Sequence, residues 1–423
     1  MTFFAPYKMY RTDYTRCASS DPEAQCPEHA IQVYENPTEP QRRYWLGFIE
    51  FDDQGQLFDR RQMEAVLDDL SRQPNDLLIV VFVHGWKHSA APGDDNVASF
   101  RQALEDLAEM EVVGSKKPRQ VAGIYIGWRG ASITIPVIKE LTFWDRKNTA
   151  HKVGNGGVTE VFNRIDLIRR MKNGAAEDQA GPTRLAIMGH SFGGAVVFSA
   201  VDEILSDRFV ASLRDPAQPV RGFGDLVILI NPAFEALRYT PLSDMATETD
   251  KIDPQSKTYP PGQLPVLAVL TSEADYATKY AFRVGRGLST LFEKVRIMRH
   301  YNRVTAQTET IDQKQANLTA LGHFEPYRTH ELRLQSEENP VMPSSGEQQV
   351  RLFVETTRPG WENDHPGHAI PFGEVILART ERSAGRNPYL TIRVDKRLIP
   401  NHNDIDDPRI ARFLRQLIML SSQ

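Results

Sequence analysis

Leu77–Val83 (LLIVVFV) sets seven apolar residues in a row. A strand that is apolar on both faces must be covered on both faces, as in the centre of a parallel sheet flanked by helices. Seven residues also fall far short of the ~20 needed to cross a bilayer. The segments on either side support the same architecture. Tyr44–Phe51 (YWLGFIEF) alternates as a strand, and Asp52-Asp53-Gln54-Gly55 is a turn signal. Asp59 is placed to cap a helix whose Met63, Val66, Leu67 and Leu70 fall at helical spacing. Val97, Phe100, Leu104 and Leu107 mark a second helix, Val121–Trp128 a strand, and Val158–Met171 a helix. Leu185–Met188, Leu226–Ile230 and Pro265–Leu270 read as further strands, with a helix over Gly194–Leu205. Strand and helix in repeated alternation predict an α/β protein, a mostly parallel doubly wound sheet with helices on both faces.

Two regions depart from this rhythm. Residues 1–41 are irregular and rich in Pro, Asp and Glu, and read as an extension of a single domain over 42–423. In 281–388 the alternation breaks down, with strand-like stretches only at Val350–Glu355 and Glu374–Ala378, and this stretch is expected to be an insertion. Tyr389–Ile399 restores a strand. A last helix starts at Asp407-Pro408 and carries Ile410, Phe413, Leu414, Leu417 and Ile418 on one face.

The formal net charge of −5 gives no general attraction to nucleic acid or to anionic membranes. Met1–Arg16 has no apolar core of the kind a secretory signal needs. The only cysteines, Cys17 and Cys26, are too few for a disulfide framework, although they are close enough for one local bond. A cytoplasmic location and no transmembrane segment are the corresponding expectations.

The sharpest local signal is Gly189-His190-Ser191-Phe192-Gly193-Gly194. It has the form G-x-S-x-G between a short apolar strand and a helix, the setting that projects a serine hydroxyl from a tight turn. A second element, Val83-His84-Gly85-Trp86, follows the buried strand Leu77–Val83.

These residues resemble the α/β-hydrolase superfamily, in particular its serine esterases and lipases, over about Tyr44–Leu420 with the insertion unmatched. The resemblance implies Ser191 as nucleophile and an oxyanion hole formed by the backbone N–H groups of Trp86 and Phe192. It gives His84 a structural role. It also implies the chain order serine, acid, histidine. For the acid, Asp275 and Glu273 compete in the turn after Pro265–Leu270, with Asp275 preferred as the deeper of the two. Glu235 is a third candidate, because some lipases place the acid after the earlier strand, where this chain has Asn231. For the base, His402 lies between the last strand and the last helix. His323 and His330 are rivals, nearer Asp275 in sequence. The region before the last strand is expected to form a cap over the site. The implied function is hydrolysis of a small-molecule or lipid carboxylic ester without a cofactor. A lipase, thioesterase or amidase on the same residues is an alternative, as is an inert binding module.

Weaker signals stay structural. Gly154-Asn155-Gly156-Gly157 lacks the ending of a phosphate loop and reads as a helix entry. His365 and His368 have ligand-like spacing but no third ligand nearby. Ile133–Trp144 is apolar enough to line an acyl site or to pack as core, and Arg129 stands at a strand end where ligands of α/β proteins bind.

Overall fold

The computed structural model describes residues 8–52, 54–85, 88–128, 154–174, 182–282, 294–336, 345–365 and 368–421. The chain forms two compact units, Met1–Ala200 and Val201–Gln423. The boundary falls inside one helix, Phe192–Ser212.

The first unit contains β1 (Asp13–Ser19), β2 (His29–Tyr34), β3 (Tyr44–Phe51), β4 (Leu77–Val83), β5 (Gln120–Trp128) and β6 (Arg184–His190). Their order across the sheet is β1-β2-β3-β5-β4-β6. Only the β2–β3 pair is antiparallel. Register shows that helices cover both faces. Phe48, Tyr125 and Phe82 are aligned across β3, β5 and β4, so they share a face. Phe82 stacks on Phe100 of the helix Asp95–Gly114, with centroids 5.5 Å apart. Trp45 points to the opposite face, and its Nε1 donates to Asp69 of the helix Arg60–Ser71 at 2.7 Å. That helix is capped by Asp59 and buries Met63, Val66, Leu67 and Leu70, the expected stripe.

Residues 1–41 depart from expectation. Within them β1 and β2 run parallel to each other, β2 joins the sheet antiparallel to β3, and a disulfide joins Cys17 to Cys26. The strand signal was weak because β1 is a largely exposed edge strand with polar residues on both faces. The disulfide also removes the low cysteine count as an argument for a reducing compartment.

The second unit contains β7 (Leu226–Ile230), β8 (Leu267–Ser272), β9 (Ile297–Asn302), β10 (Gln307–Asp312), β11 (His330–Leu334), β12 (Ala369–Phe372), β13 (Val375–Arg379) and β14 (Tyr389–Val394). One sheet runs β7-β8-β14-β11-β13-β12, while β9 and β10 form a separate antiparallel hairpin. The first four strands are mutually parallel, and β13 and β12 add antiparallel. The segment expected as an insertion therefore supplies three strands to the sheet beyond β14. Val350–Glu355 is not a strand. It lies in the helix Gly346–Leu352, capped by Ser345, and in the helical turns that continue it. The last helix, Pro408–Ser421, buries Ile410, Phe413, Leu414, Leu417 and Ile418 as expected. Asp407 caps it, accepting from the Arg409 N–H at 2.8 Å.

Among the described residues, no helix is long and apolar enough to cross a membrane.

Candidate active site

In the first unit β6 carries the chain to His190, and the helix begins at Phe192. Ser191 between them has φ 55°, in the left-handed region that a side chain adopts only at a cost, on the order of 1–3 kcal/mol. The two flanking glycines make this turn possible. A Cβ on Gly189 would lie 2.6 Å from the Gly193 carbonyl oxygen, and one on Gly193 would run into the carbonyl oxygens of Val83 and His84. The loop after β4 thus packs directly against the turn. A Cβ on Gly85 would come within 3.1 Å of Ser191 Cβ. Phe192 is buried at the helix start, where the helix dipole presents a positive field.

His84 is fully buried beside this turn. Its Nε2 accepts from the Trp128 backbone N–H at 3.0 Å, so Nδ1 carries the proton and donates to the Gly85 carbonyl at 2.7 Å. Trp128 Nε1 in turn donates to the His84 carbonyl at 2.8 Å. Burial pushes the His84 pKa down to about 4, which leaves the ring neutral at pH 7. Both nitrogens are engaged in holding the loop, the structural role expected of it. Trp86, Arg129 and Ile133–Trp144 lie outside the described residues.

In the second unit the structure brings Asp275 and His402 together across 127 residues of sequence. His402 Nδ1 donates to Asp275 Oδ1 at 2.9 Å. The Asp275 side chain is wholly buried. Burial works to raise its pKa, but hydrogen bonds and charge from His402, with hydrogen bonds from Thr278, outweigh it and hold the carboxyl below its ordinary range. The Thr278 N–H donates to Oδ1 at 3.1 Å, and its hydroxyl donates to Oδ2. With its proton on Nδ1, the neutral His402 ring keeps Nε2 as the basic nitrogen.

Two polar residues fix the loop that carries His402. Asn231, at the end of β7 with φ 45°, donates from Nδ2 to the His402 carbonyl at 3.0 Å and accepts from the Ser272 N–H at 2.9 Å. The Ser272 hydroxyl donates to the Ile399 carbonyl at 2.5 Å. In the sequence Asn231 marks only a position that cannot supply the acid. The hydrogen bonds of its side-chain amide, like those of Thr278, leave no signal there.

None of the rival residues takes part in the hydrogen bond between Asp275 and His402. Glu273 pairs with Arg393 of β14 at 2.5 Å, half-exposed, and is not the partner of His402. Glu235 precedes the helix Ala236–Glu248 and forms a bridge to Ala320. His330 is fully buried at the start of β11, and burial pushes its pKa down to about 3. His323 sits in the short turn Leu321–His323, with Nε2 2.9 Å from the Thr278 hydroxyl.

The glycines before the helix Thr159–Lys172 serve helix entry. The Gly157 N–H donates to the Gly55 carbonyl at 3.1 Å, and the Thr159 hydroxyl donates to the Gly154 carbonyl at 2.6 Å. The rings of His365 and His368 are 5.0 Å apart. Among the described residues, no three His, Cys, Asp or Glu side chains are grouped as metal ligands. No protein-family model matches the chain, and no curated protein matches it.

Proposed function

We propose that the chain is a serine hydrolase of α/β-hydrolase type, cleaving a carboxylic ester through an acyl-serine intermediate. The observation that carries this reading is the backbone of Ser191. A serine held at φ 55° between a strand and a helix, with no room for side chains on Gly189 or Gly193, is strained in a way that packing alone does not require. The His402–Asp275 pair supplies the accompanying chemistry, a histidine whose tautomer a buried carboxylate fixes.

In this reading Ser191 Oγ attacks the acyl carbon as its proton passes to His402 Nε2. The negative charge goes to the carbonyl oxygen, which takes hydrogen bonds from the Phe192 N–H and, by the resemblance, from the Trp86 N–H. The tetrahedral intermediate collapses, the bond to the leaving oxygen breaks, and His402 returns the proton to the departing alkoxide. Water then gives a proton to His402 and attacks the acyl-serine; the bond from the acyl carbon to Ser191 Oγ breaks, His402 returns the proton to Oγ, and the carboxylic acid leaves. Asp275 remains ionised throughout and stabilises the transient imidazolium. Every proton is accounted for without a metal or cofactor.

Nitrophenyl esters of increasing acyl length test the proposal. The wild-type chain should hydrolyse them, with a preference for short or long acyl groups separating esterase from lipase. Ser191→Ala should lower turnover on the order of 10³-fold or more with an unchanged melting temperature. A folded wild-type chain inert toward esters, thioesters and amides would make it a binding module instead.

A further inference from the structure

His323 belongs to a line of polar contacts that the hydrolytic scheme does not use. Its place is fixed by the backbone. The Leu321 N–H donates to the Phe234 carbonyl at 3.1 Å, and the Ala236 N–H donates to the Thr319 carbonyl at 2.9 Å. Gly322 lies so close to Thr271 that any Cβ there would collide with the threonine side chain. The turn that carries His323, within the stretch expected as a cap, thus lies against the end of β8, a short distance in sequence before Asp275.

The direction of the hydrogen bonds follows from counting protons. Ionised Asp275 can only accept. Thr278 has one hydroxyl proton, which goes to Asp275 Oδ2. The Thr278 oxygen can then only accept from His323, so His323 Nε2 carries a proton and donates at 2.9 Å. If His323 took the other tautomer, the Thr278 proton would be drawn to the ring and Oδ2 would lose its donor.

We propose that His323 is a positioning residue of the active site: through Thr278 it directs a hydroxyl proton onto Asp275 Oδ2, which fixes the carboxylate with Oδ1 presented to His402 Nδ1. This rests on the reading of His402 as the catalytic base. The line His323–Thr278–Asp275–His402 draws on three separate stretches of the second unit, and each link is a direct contact.

The test uses the full chain with a nitrophenyl ester and the variants Thr278→Val, Thr278→Ser, His323→Phe and His323→Gln. Thr278→Val should lower kcat about tenfold, the scale of one hydrogen bond to a charged group, with KM within about twofold of wild type. Thr278→Ser, which keeps the hydroxyl, should restore kcat. His323→Phe should match Thr278→Val, and His323→Gln, which keeps a donor, should recover part of the loss. The double variant Thr278→Val/His323→Phe should be no slower than Thr278→Val alone, because both remove one chain of contacts. Nitrogen-labelled histidine gives a readout that needs no substrate: the His323 ring should be protonated at Nε2. An unprotonated Nε2, a wild-type kcat in Thr278→Val or additive losses in the double variant would overturn the proposal. Should His323→Phe fail to fold, the Thr278 pair and the tautomer decide. Ser191→Ala and His402→Ala separate the two failures. If both retain turnover, the hydrolase reading is wrong. If both are inert while Thr278→Val is wild type, only the role of His323 is wrong.

Discussion

The Ser191 turn and the His402–Asp275 pair are built in opposite ways. The turn is made of backbone: adjacent residues, two glycines without space for a Cβ, and a serine in the left-handed region. The histidine half is made of side chains, with Asp275, Thr278, His323, His402 and Asn231 joined by hydrogen bonds from distant stretches of the chain. Backbone geometry leaves a dense local signature and tolerates little change, because any substitution meets other backbone. A side-chain network leaves no contiguous signature, and it can be cut one bond at a time while the scaffold stands.

That contrast predicts different kinds of damage. Damage to the side-chain half falls on turnover. Asp275→Asn keeps the shape but removes the acceptor charge facing His402 Nδ1, and should lower kcat on the order of 10³-fold with little change in melting temperature. A large fall in melting temperature would mean that Asp275 serves the fold. Gly193→Ala should do the reverse. Its Cβ would enter the carbonyls of Val83 and His84, and chemical denaturation should show a loss on the order of 4 kcal/mol. A stable, folded Gly193→Ala would show that the turn is more pliant than its contacts indicate.

Acid extends the contrast, because His84 in the first unit and His330 in the second are fully buried with lowered pKa values. His84 titrates at about 4 and His330 at about 3 in the folded chain, against about 6.5 when unfolded. Between pH 6.5 and 4 the unfolded chain binds protons that neither buried ring takes up. Stability should therefore fall as pH drops through that window, with each histidine contributing about 1.4 kcal/mol per pH unit. Asp275 has the opposite reference. Its depressed pKa favours folding above about pH 4, and that contribution is lost only as pH falls through its folded value. Replacing His330 by Leu should flatten the slope measured by denaturant titration at pH 6 and pH 5. An unchanged slope would show that His330 does not stay neutral in the fold. The smallest effect is expected at Glu273. Its pair with Arg393 is half-exposed, so Glu273→Gln should change stability by less than about 1 kcal/mol and leave turnover near wild type. A strong loss of turnover there would reopen the choice of acid.

Legibility in the sequence follows the same division. Tyr44–Phe51, Leu77–Val83 and Leu226–Ile230 are strands at the expected bounds, the first read from its alternation and the other two from continuous apolar runs. Val350–Glu355 misled because six residues cannot separate the two periods. The helical spacing shows only when Phe353, Thr357, Gly360 and Trp361 are read together as one buried stripe. The edge strand β1 is largely polar and β12 has four residues with a proline among them, so neither announces itself, whereas the apolar run at Glu374–Ala378 is β13. At the site, G-x-S-x-G located the Ser191 turn. The loop positions after β8 and β14 pointed to Asp275 and His402. Thr278 and Asn231 were not legible, because their importance lies in the partners that folding brings to them.

The central claim is that Ser191 is a nucleophile whose reactivity depends on His402. A fluorophosphonate probe followed by peptide mapping tests it directly, since the probe bonds only to an activated serine. The account predicts one adduct, on Ser191, in the wild-type chain. It predicts none in Ser191→Ala and a labelling rate lowered on the order of 10³-fold in His402→Ala. An adduct on a different serine, no adduct on the folded wild-type chain, or Ser191 labelling at the wild-type rate without His402 would contradict it.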